Sequence, residues 1–405
     1  SLAAAQRAAR FVRQRTGLSG RVIDSEVPLL AVPEGGYQAA RDYWRHTGEL
    51  ISSRQAEDLQ RGVVADCSQV AGFRCSLAQV MGVREQDAFF FESGMAAIFA
   101  LYRAVTARRP GLKTLQLCFP YVDALKVQEH FGAGVDFVNS PRGDALDESL
   151  AAIRQGVYAA VFCEVPSNPL LHTVNLPAVA EACRESRTPL LVDDTVCSHL
   201  NIDALSHADA VSTSLTKWVS GVGDVLAGAV RLNHSSPLAE ELRRVFDDEV
   251  PDGSRLYPRD AEVLAANAVD FELRVNECNN NGRAVAEFLH DHPAVAQVWY
   301  PSLIDRVEYE ALQRPGAGFG GLMSFTLKLP ERTPEVYKAM RFSKGPSLGT
   351  DYSLLCPYTL LAHYTEIPWA NECGVATELL RLSVGREPVE DLLTRLDGAL
   401  AVAEK

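Results

Sequence analysis

The stretch Ser212-Thr-Ser-Leu-Thr-Lys217-Trp-Val-Ser-Gly-Val-Gly-Asp224 sets one lysine between hydroxyls and glycines. Ser212, Thr213, Ser214 and Thr216 precede Lys217, and Gly221 and Gly223 follow it. A surface lysine ordinarily sits among other charges on a helix face. A lysine held in a polar, glycine-bearing turn can shed its proton and attack a carbonyl, and hydroxyls at 214 and 216 suit a phosphate. Taken alone, the stretch reads more readily as a strand-to-helix loop with a solvated lysine. The choice depends on whether other chemistry converges on it.

Three further polar residues share its setting. Tyr121 follows the apolar run Leu115-Gln-Leu-Cys118, Asn168 follows Ala159-Ala-Val-Phe-Cys163, and Asp193 closes Pro189-Leu-Leu-Val192; Lys217 itself follows the strand-like Ala208–Ser214. Ser93-Gly94-Met95 comes after Asp87-Ala-Phe-Phe-Phe91 and opens the helical run Ala96 to Val105. A helix N-terminus carries unpaired amides and partial positive charge, so it accepts phosphate readily, although a plain N-cap serine has the same sequence signature.

The elements that must position these groups alternate. Helical stretches lie between the apolar runs, from Val122 to Phe131 (Val122, Leu125, Val127 and Phe131 inward) and from about Leu176 to Glu185. Runs of this kind predict strands of a mostly parallel sheet covered on both faces, joined by right-handed crossovers. In open α/β sheets ligands bind outside the carboxyl ends of the strands, where Tyr121, Asn168, Asp193 and Lys217 all fall. After Leu238 helical segments dominate to about His290, with Asn279-Asn-Asn-Gly282 as a candidate break. Gly320–Lys328 and Leu379–Val384 read as strands, and Glu387-Pro388 opens a last helix. The fold class is therefore α/β, a large mostly parallel-sheet domain over 63–245 plus a smaller C-terminal α/β domain over 246–405. Arg381, inside the second apolar run, needs an anionic partner, either a structural carboxylate or that of a substrate. Residues 1–62 read as an arm, helical from Leu2 to about Arg15, with one short apolar run at Val27–Val32 and an aromatic–basic cluster, Asp42-Tyr43-Trp44-Arg45-His46, suited to an anion site on a neighbouring subunit.

Composition bounds the function. With 405 residues, 47% hydrophobic and 22% charged, the chain is that of a globular protein of more than one domain. A formal charge of −13 argues against nucleic acid or an anionic membrane as a partner. No stretch approaches the length of a membrane span, and the N-terminal stretch lacks the apolar core of a signal peptide. Nine scattered cysteines without a CxxC pair fit a reducing, cytoplasmic compartment. His290-Asp-His292, followed at once by Pro293, reads as a loop rather than a metal site. Gly221-Val-Gly223 fails the dinucleotide pattern because position 226 is leucine, and neither a P-loop nor a GxSxG elbow is present. A lysine, a carboxylate, an aromatic and phosphate-friendly turns on one sheet edge suit pyridoxal 5'-phosphate (PLP), with lysine for the Schiff base and a carboxylate for the pyridine nitrogen.

These residues together resemble the PLP-dependent enzymes of cysteine and methionine metabolism, typified by cystathionine γ-synthase, over most of the chain from Tyr43 onward. Ser93-Gly94-Met95 is similar to the family's phosphate turn, Tyr121 to the aromatic stacked on the cofactor, and Glu164-Val-Pro-Ser-Asn168-Pro-Leu170 to its ExPSNPL segment. Asp193 falls where the nitrogen's carboxylate does, and Ser214-Leu-Thr216-Lys217 matches SxTK. The resemblance implies an aspartate aminotransferase-like fold, Lys217 as Schiff-base lysine, Ser214 and Thr216 as phosphate ligands, and Ser347, Arg381 and Asn168 as the grip on a substrate carboxylate. Tyr43 and Arg45 resemble the Tyr-x-Arg pair that reaches a neighbouring subunit's phosphate, which implies an active dimer within a homotetramer. The sequence departs from the pattern at His46–Arg54 (where Asn-Pro-Thr is usual), Asp194, Val222 and Thr350-Asp351-Tyr352-Ser353, variants that look like the fungal-type branch. The implied activity is γ-replacement on an O-activated L-homoserine, an acetyl or succinyl ester. Lys217 takes the α-proton, and a nucleophile attacks at Cγ after the ester leaves. Cysteine is the default nucleophile; another thiol, sulfide or a carbon nucleophile is the rival. A γ- or β-lyase of sulfur amino acids needs the same apparatus without a second substrate.

Overall fold

In the computed structural model, residues 1–66 and 70–403 are described. The first helix, Leu2–Thr16, begins where the Ser1 side chain accepts from the Ala4 N–H and ends at Gly17, whose φ of 73° favours glycine. A two-stranded antiparallel ribbon, β1 (Arg21–Ile23) with β2 (Leu29–Ala31), leads to helices Tyr37–Thr47 and Ser53–Arg61. Phe11, Val12, Ala39 and Tyr43 are buried in one cluster with Phe99, Leu101 and Val127. The N-terminal segment thus lies against its own chain's large domain.

That domain is organised by a seven-stranded sheet of β3 (Ala88–Phe91), β4 (Thr114–Leu117), β5 (Val135–Val138), β6 (Val161–Glu164), β7 (Leu190–Asp193), β8 (Ala210–Ser214) and β9 (Gly228–Leu232). The spatial order is β3-β9-β8-β7-β6-β4-β5, and β9 alone runs against the others. All-apolar strands such as Ala88–Phe91, buried at every position, are what covering a sheet on both faces requires. The register sets Glu164 beside Asp193 and Asp193 beside Ser212, so the polar ends of three strands form a row.

The smaller domain has a five-stranded sheet, β10 (Val295–Trp299), β11 (Leu322–Leu327), β12 (Ser343–Lys344), β13 (Leu354–Pro357) and β14 (Leu380–Ser383), ordered β10-β11-β14-β13-β12. The chain reaches it through helix Phe271–Asp291. That helix runs unbroken through Asn279–Gly282, where the sequence offered a break. Asn279 is bonded to Asn201 and to the Gly320 N–H, and Asn281 donates to the carbonyls of Gly385 and Glu387. A Cβ on Gly282 would lie 2.4 Å from the Gly320 carbonyl oxygen. The polar run is a packing face, not a turn. A second unforeseen element is β9, whose Gly-Ala-Val-Arg-Leu includes a buried charge: Arg231 is ion-paired to Asp194, which also accepts from the Thr213 hydroxyl at 2.5 Å. Both are at most 2% exposed, so removing either partner leaves an isolated buried charge, a loss of about 3–5 kcal/mol.

Candidate active site

The row of strand ends opens into a cavity of about 480 Å³. β3 delivers Ser93-Gly94-Met95, β4 Tyr121, β6 Asn168, β7 Asp193 and β8 Ser214, Thr216 and Lys217, all of them lining it. β14 of the smaller domain adds Arg381 from the opposite side. Ser347, in the loop before β13, accepts from Lys217: the Nζ–Oγ distance is 3.1 Å.

Lys217 is half-buried, and that desolvation, reinforced by the positive charge of Arg381, lowers its pKa from 10.5 to about 8. An amine tuned this way is far closer to its free-base form at neutrality than a surface lysine. The stability consequence follows from linkage. The folded pKa lies below the unfolded one, so the unfolded chain binds more protons between pH 8 and 10.5. The charged-amine penalty is therefore fully present below pH 8 and is relieved as pH rises toward 10.5. In cofactor-free protein at neutral pH, Lys217→Met is expected to raise the unfolding free energy by up to about 3 kcal/mol and to remove this pH slope. Urea unfolding of both proteins across that range checks it; an unchanged slope refutes the assignment of the penalty to Lys217.

Asp193 is held at its end of β7 by the Thr195 N–H (2.9 Å) and the Ser212 hydroxyl (3.1 Å). Burial raises its pKa to about 6 against these bonds, with Asp194 adding repulsion. Glu164, which sequence reading left without a role, accepts from the Tyr121 N–H at 2.7 Å, so it fixes the turn that carries the tyrosine. Its other oxygen is buried without a hydrogen-bond partner, and burial with the neighbouring Asp193 pushes its pKa well up. Asp193, with two hydrogen bonds to its carboxylate, is the better stabilised anion of this neighbouring pair.

Arg381 is 4% exposed. Its guanidinium donates to Asn168 Oδ1 at 2.8 Å and to the Pro346 and Ser347 carbonyls, and lies 4.9 Å above the Tyr358 ring. Asn168 also donates to the Tyr358 hydroxyl, 3.3 Å away. Tyr358 was not singled out in the sequence, because nothing local distinguishes it from a core tyrosine.

The helix Gly94–Thr106 starts at the cavity with Ser93 as N-cap, its hydroxyl accepting from the Ala96 N–H and donating to the Gly48 carbonyl. Close packing demands the glycines here. A Cβ on Gly94 would lie 2.7 Å from that of Ser214, and one on Gly228 2.2 Å from the Ser93 carbonyl oxygen. Thr216 is tied to Ala227 through its hydroxyl, 3.1 Å from the amide nitrogen.

The N-terminal pair separates. Arg45 lines the cavity of its own chain, with Nε 3.3 Å from Asp123 Oδ1. Tyr43 is not among the residues lining that cavity: it is 3% exposed, packs among Phe11, Phe99 and Phe131, and donates to Glu49 at 2.5 Å. Within its own chain, Tyr43 therefore stands apart from the groups gathered around Lys217. It shares the inward stripe of helix Tyr37–Thr47 with Ala39 and Thr47, at i±4 spacing, while Arg45 lies off that stripe.

The comparisons with known proteins agree with this geometry. Residues 70–401 match the family described as Cys/Met metabolism PLP-dependent enzyme. The chain belongs to that family. It is 37% identical over 334 residues to a cystathionine gamma-synthase of Neurospora crassa, covering 80% of this chain and 54% of that protein. The chain spans about half the length of the first curated relatives that it matches. Among solved structures, a cystathionine gamma synthase from Xanthomonas oryzae pv. oryzae in complex with aminoacrylate and cysteine aligns with TM-score 0.69 and 28% identity. A cystathionine gamma-lyase from Lactobacillus plantarum complexed with L-serine aligns with TM-score 0.70 and 25% identity. Each alignment covers 81% of this chain and 84% of the other. These likenesses show the fold of PLP-dependent cystathionine γ-synthases and lyases, and an enzyme whose cofactor is pyridoxal phosphate.

The residues present fit that cofactor. Gly94 leaves room beside Ser214 that a side chain would fill, the helix start offers amides, and a softened lysine and an anionic aspartate face one space.

Proposed function

We propose that the chain performs γ-replacement on an O-activated L-homoserine, an acetyl or succinyl ester, in the manner of a cystathionine γ-synthase. Cysteine, another thiol or a carbon nucleophile is the incoming group. The observation that carries this reading is the bridge across the cavity: Lys217 Nζ to Ser347 Oγ at 3.1 Å, with Arg381 to Asn168 at 2.8 Å behind it. It places a proton-accepting amine next to a guanidinium able to hold an amino acid's carboxylate. Ser93, Gly94, Met95, Ser214, Thr216 and Arg45 would hold the cofactor's phosphate, Asp193 its ring nitrogen, and Tyr121 its ring face. Bound there, the cofactor supplies an electron sink for charge at the substrate's α-carbon. Lys217 removes and returns protons, and Arg381 with Ser347 and Asn168 orients the carboxylate.

The catalytic unit of this reading is a homodimer within a tetramer, with residues 1–62 at the subunit contact, a PLP-binding domain over 63–245 and a C-terminal domain over 246–405. The eight cysteines of the described residues are all free, which supports a reducing, cytoplasmic setting. No helix among those residues is long and apolar enough to cross a membrane.

Elimination by a γ- or β-lyase uses the same groups, and the likeness to the Lactobacillus plantarum lyase favours keeping it as the alternative. O-acetyl- and O-succinylhomoserine, each incubated with the holoenzyme with and without cysteine, separate the two. Replacement predicts cystathionine formation that depends on cysteine. Release of 2-oxobutyrate at the same rate whether or not a nucleophile is added counts against a synthase.

A further inference from the structure

The chain turns sharply straight after Lys217, and the helix leading into the smaller domain holds that turn. The Gly221 N–H donates to the Lys217 carbonyl at 2.8 Å, which closes one helical turn, and Gly221 ends it with a φ of 71°, as helix ends do. A turn that stops there leaves its next carbonyls, those of Trp218 and Val219, in need of donors. Arg274, on helix Phe271–Asp291, supplies them. Its Nη2 lies 3.2 Å from the Trp218 carbonyl oxygen and 2.8 Å from that of Val219. The side chain is buried, with the residue 1% exposed, and its charge is paired with Asp270. A Cβ on Gly221 would lie 2.3 Å from Arg274 Nε, so the guanidinium lies directly against the turn. The loop that carries Ser347 closes the other side. The Asp351 N–H donates to the Gly221 carbonyl at 2.9 Å, and a Cβ on Gly349 would lie 2.7 Å from the Trp218 nitrogen.

We propose that Arg274 is a positioning residue for Lys217: by holding the Trp218 and Val219 carbonyls it fixes the direction in which the lysine side chain leaves the backbone, and so keeps Nζ at the Ser347 hydroxyl. The inference rests on reading Lys217 as the lysine that bonds the cofactor. Lys217 directly precedes the first carbonyl held, and its own carbonyl lies inside the turn, so any pivot of the turn carries its side chain along. A four-carbon stem is flexible. It gives the amine reach, whereas its aim comes from the backbone. A planar guanidinium engages two carbonyls at once, where a single hydrogen bond would leave the turn free to pivot. Arg274 never touches the cavity in this arrangement; it acts through the backbone of the two residues after Lys217.

A simpler account would have Arg274 do no more than tie its helix to the large domain. Two variants of the full chain part the accounts. Arg274→Lys keeps a cation beside Asp270 but loses the fork that spans both carbonyls. In the holoenzyme it is expected to lower kcat on an activated homoserine ester at least about tenfold, within the range that a misplaced reacting group costs, with KM unchanged. When pyridoxal phosphate is added to the cofactor-free variant, the lysine-bound absorption band is expected to form at least about tenfold more slowly than in wild type. Asp270 pairs with both Arg274 and Arg386. Asp270→Asn weakens that ion pairing and leaves the carbonyl contacts in place, so it is expected to keep the wild-type kcat and rate of band formation whatever it loses in stability. Should Arg274→Lys fail to fold, Gly221→Ala carries the same expectation, because the added Cβ has to push the guanidinium off the two carbonyls while its charge stays. Wild-type rates in the variant that folds overturn the proposal, and so does an equal loss of both rates in Asp270→Asn. Failure of the wild-type protein to develop a lysine-bound band would instead overturn the reading of Lys217, and it is recorded separately.

Discussion

Lys217→Ala is expected to lower turnover of an activated homoserine ester by about 10³-fold or more and to abolish the visible absorption band of lysine-bound cofactor. Binding of pyridoxal phosphate itself is expected to survive. The structural basis is a division of labour within the cavity. The phosphate cradle is built by the start of helix Gly94–Thr106 and by Ser214 and Thr216, and Asp193 is fixed by Thr195 and Ser212. None of these contacts passes through the lysine Nζ, whose one hydrogen bond of note is to Ser347. The amine, by contrast, is the group whose pKa of about 8 suits it to exchange protons near neutrality. Absorption spectra of wild type and variant after cofactor addition, with steady-state rates on the ester, measure both halves. A band that persists in Lys217→Ala would show that another amine holds the cofactor, and the assignment would fail.

Much of this site was legible because a parallel sheet gathers what its sequence scatters. Once Ala159–Cys163 and Pro189–Val192 are read as covered strands, the residues after them must share an edge, and Asn168, Asp193 and Lys217 do share one. The residues that escaped sequence reading depend on contacts between distant segments. His46 and Asp123 are 77 residues apart, and Asp194 and Arg231 are 37 apart. No local pattern reports such a pair. β9 was missed for the same reason, since a buried arginine is improbable in a covered strand until its carboxylate is known. Tyr43 and Arg45 part because a motif gives residue order, whereas the rotation of helix Tyr37–Thr47 decides which side chain enters the core and which faces the cavity. The variant residue Asp194, conspicuous in the sequence, turns out to act at the sheet and away from the substrate groups: its partners are Arg231 and Thr213.

Arg381→Lys is expected to raise the KM for the amino-acid substrate by about 10²-fold, the upper range for losing one charge-assisted hydrogen bond of a bidentate pair, with the cofactor band unchanged. The oxygens that hold the guanidinium belong to the Asn168 amide and to the Pro346 and Ser347 carbonyls, and all are uncharged. Together with the Tyr358 ring they orient the cation without neutralising it. A cation kept 4% exposed in this way is costly to the fold unless an anion joins it, and a substrate carboxylate is an anion that could enter by way of the cavity. The choice of lysine as replacement matters. It keeps the charge, so general electrostatics and the depression of the Lys217 pKa by a neighbouring cation are largely retained, but it loses the planar fork that pairs two oxygens at once. An effect confined to KM therefore reports carboxylate recognition. Cofactor loss in Arg381→Lys, or a fall in kcat alone, would point to a structural role for the Arg381–Asn168–Tyr358 cluster, and an unchanged KM would remove Arg381 from substrate binding altogether.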